Sequence, residues 1–234
     1  MNAPRRNSDL SIAAVVPVLN EAARIGGLLD DLATQGFREV IVVDGGSDDA
    51  TAEIVRGKGV TLISAARGRG PQLNAGARTT GADVLLFLHA DTRLPERAKD
   101  HILALLDEHG VLGGCFRLSF DERHPMLALY AAASAFDSVF TTFGDQAFFV
   151  RAGAFRDVGG FPDWPFLEDV ELRRRLKHRG RFVKGKARVV TSARRFRSSG
   201  ILRQQFRNAF ILNAFLLGVS AERLARWYAP QERK

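Results

Sequence analysis

The chain has 234 residues, 46% of them hydrophobic and 26% charged, enough for one large domain or two small ones with a substantial core. Its formal net charge of +8 favours anionic partners: phosphates, nucleic acid or an acidic membrane face. The single cysteine, Cys115, excludes an intrachain disulfide and fits a reducing compartment.

The N-terminus carries two arginines ahead of an apolar stretch. Asp9 breaks that stretch early and Pro17 late, and Asn20 and Glu21 follow where a cleavage site would stand. The segment therefore does not read as an export signal. No apolar run reaches the ~18 residues a spanning helix needs, the nearest being NAFILNAFLLGVS.

From residue 11 onward, short β-rich runs alternate with helical patterns. SIAAVVPV, EVIVVD, VTLIS and DVLLFLHAD read as buried strands, and EAARIGGLLDDLATQ, DATAEIVRGK and PQLNAGARTTG as the helices between them. This alternation predicts βαβ units and a mostly parallel sheet covered on both faces. Beyond about residue 110 it loosens. VLGGCFRLSF and QAFFVR read as strands, PMLALYAAASAFDSVF and PFLEDVELRRRLKHRG as helices, and the tail from Gly200 as helical and partly basic. Pro71, Pro95, Pro125 and Pro165 are expected where helices open. The simplest organisation is a flexible N-terminus over residues 1–10, one α/β domain over 11–195 and a helical extension over 196–234.

Open parallel sheets bind ligands outside the carboxyl ends of their strands, so the loops there carry the functional signal. PVLNEA follows the first strand. In DGGSDDAT, Asp44 ends the second; it either closes a tight turn with an N-cap or aims a carboxylate at a ribose or base. ARGRGPQLNAG sets Arg67 and Arg69 between glycines ahead of a helix start, a combination suited to an anion or simply a flexible basic loop. In LHADT, His89 and Asp91 fall on one side of a strand end, where a carboxylate can hold a divalent ion between phosphates. Glu168 and Asp169 sit side by side after GGFPDWP. A helix's first turn favours such charge through its dipole, and a reaction centre also needs a carboxylate.

Taken in order, VVPVLNEA, VVDGGSDDAT, GRGPQLNAGA, LHADT and FLEDVEL resemble the family 2 glycosyltransferases of the GT-A fold, over residues 11–185. HADT, GDQAFFVR and TSARRFRSSG resemble a bacterial subfamily associated with radical-SAM and selenium-related genes and with arsenosugar biosynthesis. The resemblance implies a GT-A type, Rossmann-like three-layer α/β sandwich with a mostly parallel central sheet. It also implies an inverting transfer of a sugar from a UDP- or GDP-linked donor. The acceptor would be a hydroxyl or carboxyl group on a small metabolite, a lipid or carotenoid, or a polysaccharide.

Residue by residue, the resemblance implies that Pro17, Asn20 and Glu21 line the nucleotide pocket and that Asp44, with Asp48 in the same loop, contacts the base. Arg69 and Asn74 would lie near the diphosphate. His89 and Asp91 occupy the DxD position, with Asp91 as ligand to Mn²⁺ or Mg²⁺; histidine in place of the first acid departs from the family pattern. Asp169 takes the place of the catalytic base, with Glu168 beside it. Asp145, Gln146 and Trp164 are candidate acceptor or sugar contacts, each with a structural alternative: a local turn for the first two, packing beneath the loop for Trp164 and its neighbour Phe161. Arg194 and Arg195 either reach the diphosphate or remain solvated.

Nucleic acid is not among the partners this resemblance implies, and a cytoplasmic location, at most on the inner membrane face, follows from it. The C-terminal segment is expected to be a core or dimer helix, with a membrane interface touching Arg203 and Arg207 as the alternative. A nucleotidyltransferase or an S-adenosylmethionine-dependent methyltransferase would want a glycine-rich loop where PVLNEA stands. A sugar-nucleotide-binding protein or membrane-peripheral scaffold without catalysis is the non-enzyme alternative, raised by His89 and opposed by the intact carboxylate pair.

Overall fold

The computed structural model describes residues 10–194, 201–221, 223 and 224. Arg195, and all but Leu10 of the N-terminal residues expected to be flexible, fall outside that range. In chain order the strands are β1 (Ile12–Val18), β2 (Glu39–Asp44), β3 (Thr61–Ser64), β4 (Val84–Phe87), β5 (Thr92–Arg93), β6 (Val111–Phe120), β7 (Phe148–Arg151) and β8 (Arg181–Thr191). The helices are α1 (Ala22–Thr34), α2 (Thr51–Gly57), α3 (Arg69–Thr79), α4 (Ala98–Leu106), α5 (Pro125–Ala133), α6 (Ala152–Asp157), α7 (Glu168–Arg179) and α8 (Ile201–Leu216).

One eight-stranded sheet runs in the order β3-β2-β1-β4-β7-β6-β8-β5. β3, β2, β1 and β4 are mutually parallel; β7 is antiparallel to both β4 and β6, and β8 is parallel to β6. Only β7 and the two-residue β5 therefore oppose the common direction. Alternate side chains feed two separate cores. Ala14, Val16, Leu86 and Phe116 face α1 and α4 residues such as Ile25, Leu29 and Ile102. Ala13, Val15, Leu85 and Phe148 share the other core with Leu73, Phe155 and Leu172 of α3, α6 and α7. Residues in both clusters are buried, which is why the strands read as continuous apolar runs instead of alternating ones. The result is a mixed α/β sandwich of three layers about a mostly parallel sheet.

Pro17 sits inside a central strand, a position proline normally avoids. The β1–β4 ladder ends at Val15↔Phe87, so beyond that point β1 needs no donor toward β4. On its other side β1 continues, pairing Pro17 with Val43.

The structure differs from the sequence expectation at several ends. β4 stops at Phe87, which leaves His89 and Asp91 in the following loop. α3 starts at Arg69, so Pro71 is its third residue. Pro125 alone occupies a first helical position, whereas Pro95 and Pro165 lie in the turns before α4 and α7. β5, α4, α6 and β8 were not expected. β8, RFVKGKARVVT, was hidden by Gly185 and four basic residues that alternate with buried Phe182 and Val189.

Gly76 is where α3 comes closest to the sheet. A Cβ there would stand 2.4 Å from Val15 Cγ1 and 2.9 Å from Val43 Cγ2, nearer than packing permits. Gly76→Ala is predicted to destabilise the protein by about 1–3 kcal/mol through overpacking, measured by urea denaturation. Gly57→Ala is a suitable control, because a Cβ at that position meets nothing within 4 Å.

Candidate active site

The carboxyl ends of β1 to β4 form one edge, and its loops are knitted by short polar contacts. Asp44 is buried and accepts from Ser47 N (3.0 Å) and Ser47 Oγ (2.7 Å), closing the turn after β2. Asn20, at φ 55°, donates its N–H to Ser47 Oγ (3.0 Å), and its Oδ1 accepts from Asp48 N (2.9 Å). Glu21 N donates to Thr51 Oγ1 (2.8 Å). The loops after β1 and β2 are thus one hydrogen-bonded unit holding Asn20, Glu21, Asp44 and Asp48. The Asp48 side chain points to solvent, and Pro17 is buried beneath the unit. Glu21 Oε1 also accepts from Arg194 Nη2 at 3.4 Å, so the chain after β8 returns to this edge.

Gln72 had no sequence signal of its own, yet it holds the edge together. Fully buried on α3, its Nε2 donates to Val18 O (2.9 Å) and Val43 O (2.7 Å), at the ends of β1 and β2. Its Oε1 accepts from Gly68 N at 3.4 Å in the basic loop. A polar residue on the sheet-facing side of a helix looks like a pattern error until its amide is seen to bond both strand ends.

Asn74, one helical step on, faces the other way. Its Nδ2 donates to Phe161 O (2.8 Å) and its Oδ1 accepts from Phe161 N (3.0 Å). Both ends of the amide bond the loop before α7 and tether that loop to α3. Phe161 itself packs edge-on against Phe87 with centroids 4.8 Å apart, under the loop.

That loop delivers Glu168 and Asp169 as the first two residues of α7, after Leu167 in the left-handed region at φ 61°. A branched residue there is uncommon, and such strain clusters where a side chain must be aimed. Asp169 is held by two backbone donors: Gly144 N to Oδ2, in a short contact, and Val170 N to Oδ1 at 2.8 Å. Glu168 is 3% exposed, and its Oε2 has no hydrogen-bond partner among the described residues. Burial pushes its carboxyl up to about 7; the Asp169 charge adds to this and the Arg69 charge opposes it. The basic loop and the carboxylate pair thus act on each other directly.

A small pocket is lined by His89, Gly144, Phe161, Glu168 and Asp169. It brings the HADT loop together with the carboxylate pair, two motifs 79 residues apart in the chain (89 to 168). Asp91 lies two residues beyond His89; its backbone carbonyl accepts from Ser192 N at 3.1 Å, fixing the loop to the end of β8.

Two of the expected sugar contacts have protein partners of their own. Gln146 is fully buried, donating to Thr141 O at 2.7 Å and accepting from Cys115 Sγ at 3.5 Å, so it shapes the turn from inside. Trp164 packs edge-on against Phe215 of α8, with centroids 5.6 Å apart. Asp145 stands between Gly144 and Gln146 in the single turn that orients Asp169.

A sheet covered on both faces, with acidic and basic loops gathered at one carboxyl edge and a carboxylate pair opposite, is the GT-A arrangement. Residues 13–160, more than half of the chain, match the model for glycosyl transferase family 2, and the chain belongs to that family. It is 30% identical over 148 residues to 4,4'-diaponeurosporenoate glycosyltransferase of Staphylococcus haemolyticus, covering 59% of this chain and 39% of that one. The Staphylococcus aureus protein of the same name is 27% identical over 146 residues. The chain therefore spans about two fifths of the length of these relatives.

Among solved structures, a mannosyltransferase from Pyrobaculum calidifontis in complex with GDP-Man and Mn²⁺ aligns with a TM-score of 0.63 at 21% identity, over 95% of this chain and 69% of that one. Glucosyl-3-phosphoglycerate synthase from Mycobacterium tuberculosis, with Mn²⁺ and UDP, aligns with a TM-score of 0.60 at 17% identity, over 78% and 72%. At these identities the likeness speaks for the fold.

Two predictions follow from the buried polar groups. Gln72→Leu removes a buried donor from Val43 O and from Val18 O, the second of which keeps Gly45 N at 3.0 Å, and is expected to cost about 1–3 kcal/mol in chemical denaturation. Glu168 has a raised pKa in the fold, so the folded state holds its proton longer than the unfolded chain does. Its destabilising effect is absent below about pH 4.5, grows as pH rises and is complete above about pH 7. The melting temperature of Glu168→Gln should therefore gain on the parent across that window, by the equivalent of about 3 kcal/mol at most.

Proposed function

We propose that this chain is an inverting glycosyltransferase that moves a sugar from a nucleoside-diphosphate donor to an acceptor hydroxyl or carboxyl group. The observation that carries the reading is Asp169. Its two oxygens each accept one backbone N–H, and it shares a pocket with His89. A carboxylate fixed in this way is oriented before substrate arrives, as a general base must be.

In this reading the loop unit of Asn20, Glu21, Asp44 and Asp48 receives the nucleoside, with Arg194 folding over it. Arg69, at the first turn of α3, faces the diphosphate, where its charge and the helix N-terminus favour an anion. Where the acceptor is a hydroxyl, Asp169 takes its proton as the oxygen attacks the anomeric carbon and the bond from that carbon to the nucleoside diphosphate breaks. A carboxylate acceptor attacks already deprotonated and needs Asp169 only for positioning. Glu168 Oε2, buried without a partner, is the group left for a substrate hydroxyl. His89 reaches the sugar side of the same pocket.

Among the described residues no three His, Cys, Asp or Glu side chains gather as a metal site. One carboxylate at Asp91 with an imidazole nearby instead fits a hard divalent ion that keeps waters and is shared with substrate phosphates. Such an ion, Mn²⁺ or Mg²⁺, would neutralise charge growing on the leaving diphosphate. The donor base and the acceptor follow from pocket shape. The Staphylococcus haemolyticus relative is a 4,4'-diaponeurosporenoate glycosyltransferase, which makes an apolar carboxylate acceptor the first to try.

The test is a thermal-shift screen of UDP, GDP and their sugars with and without Mn²⁺, followed by turnover assays. One nucleotide should raise the melting temperature by several degrees, more with Mn²⁺, and Asp91→Ala should abolish the metal's share. Asp169→Asn should keep that shift and lose turnover by about 10²–10⁴-fold. Full turnover in Asp169→Asn would remove it from the base role. Donor binding without turnover toward any acceptor would leave a sugar-nucleotide-binding protein.

A further inference from the structure

α8 is apolar on two faces. Its inner face buries Ile211 and Leu212 and sets Phe215 against Trp164. Its outer face exposes Ala209, Phe210, Asn213, Leu216 and Leu217 in a stripe of helical spacing, with Leu217 86% exposed. The one polar member, Asn213, turns its amide back to donate to Ala209 O at 2.8 Å, so the stripe presents little polarity outward. A helix whose described C-terminal half is apolar on two faces is not finished by packing on its own domain.

A second element behaves the same way. The connector after α5 exposes Phe136 (73%) and Phe140 (51%), and α5 exposes Leu129 (66%). These rings are not out because the connector is loose. Ser138 Oγ and Thr141 Oγ1 are 2.8 Å apart and bond its backbone, and Lys184 Nζ donates to Phe136 O and Thr141 O. Asp137 is clamped by Arg173 (2.6 Å) and Lys177 (2.8 Å) of α7. The framework holds the phenyl rings in water at the expense of hydrophobic burial.

Both elements flank the carboxylate pair. The connector runs into Gly144, which bonds Asp169, and Trp164 joins α8 to the loop that delivers Glu168 and Asp169. Among the described residues no helix is long and apolar enough to cross a membrane. The chain also carries a net charge of +8. A second copy would bring equal charge against it, whereas an anionic surface complements it.

We propose that the outer face of α8 and the Phe136–Phe140 connector together dock the protein on the surface of an anionic phospholipid bilayer, with its carboxylate side toward the lipid. The docking is independent of the transferase reading, because vesicle binding is read without turnover. Insertion of a few apolar side chains, added to attraction for lipid phosphates, lays a protein on a bilayer without spanning it.

The experiment is flotation of the full chain with phosphatidylcholine vesicles and with vesicles containing phosphatidylglycerol. The chain should float with the anionic vesicles and stay down with the zwitterionic ones, and added salt should release it. Leu217→Glu on α8 and Phe136→Glu on the connector should each lower the floated fraction about tenfold with an unchanged melting temperature. Both side chains are exposed, so folding should survive; Phe140→Ser replaces either variant if it does not. Protein that stays at the bottom with anionic vesicles overturns the proposal, as does flotation unaffected by all three substitutions. Light scattering that shows a dimer, dissolved by Leu217→Glu without any vesicle binding, would assign the face to a second copy and overturn it too.

Discussion

The arrangement depends on two side-chain amides on one helix, Gln72 buried and Asn74 half-buried. Gln72 reaches the ends of β1 and β2, while Asn74, two residues on, grips the backbone of Phe161. Residues two apart on a helix point in different directions, so α3 serves as a bridge between two loop systems that would otherwise be independent. One is the paired loops after β1 and β2, and the other fixes where the carboxylates stand. The buried Gln72 amide is satisfied only in one geometry, since another position of the strand ends would leave it desolvated and unpaired. The close approach that Gly76 permits keeps the bridge flat against the sheet.

Electrostatics runs across the same bridge. Arg69 opens α3 and moderates the charge of Glu168, which opens α7. Two helix N-termini and one arginine therefore surround a pair of adjacent carboxyls. Asp169 is oriented by two N–H donors, while Glu168 is desolvated and kept near neutrality. Two like groups in neighbouring positions acquire different character through burial and hydrogen bonding alone, which is how a site divides roles between them.

Much of this was legible in the chain. The four parallel strands announce themselves as apolar runs because both faces of the sheet are covered, and the strand-end loops stand out because they are polar where a connector need not be. The pairing of GDQAFFVR with FLEDVEL was not legible: a backbone N–H of Gly144 bonding Asp169 leaves no trace in side-chain pattern. β8 was masked by its alternating basic residues, and Gln72 by the absence of any periodic signal for a buried amide. Gln146 misled for the opposite reason, because a polar residue beside a turn looks solvent-facing until its carbonyl partner at Thr141 is seen. Trp164 likewise reads as a stacking platform, and only the position of α8 reveals its neighbour.

The strand order also bears on biosynthesis. The first four strands, with the helices between them, come from residues 12–87; β1–β2 and β2–β3 are consecutive, and β4 crosses back to pair with β1. The second half of the sheet is joined through β7, which inserts between β4 and β6 although it follows both in the chain. Chains emerge from the ribosome N-terminus first, and units of local topology assemble ahead of those that close long loops. The edge formed by β1 to β4 can therefore assemble on the nascent chain while α7 is still unsynthesised. Insertion of β7 joins the two halves of the sheet, and only the later arrival of α7 brings Glu168 and Asp169 to that edge.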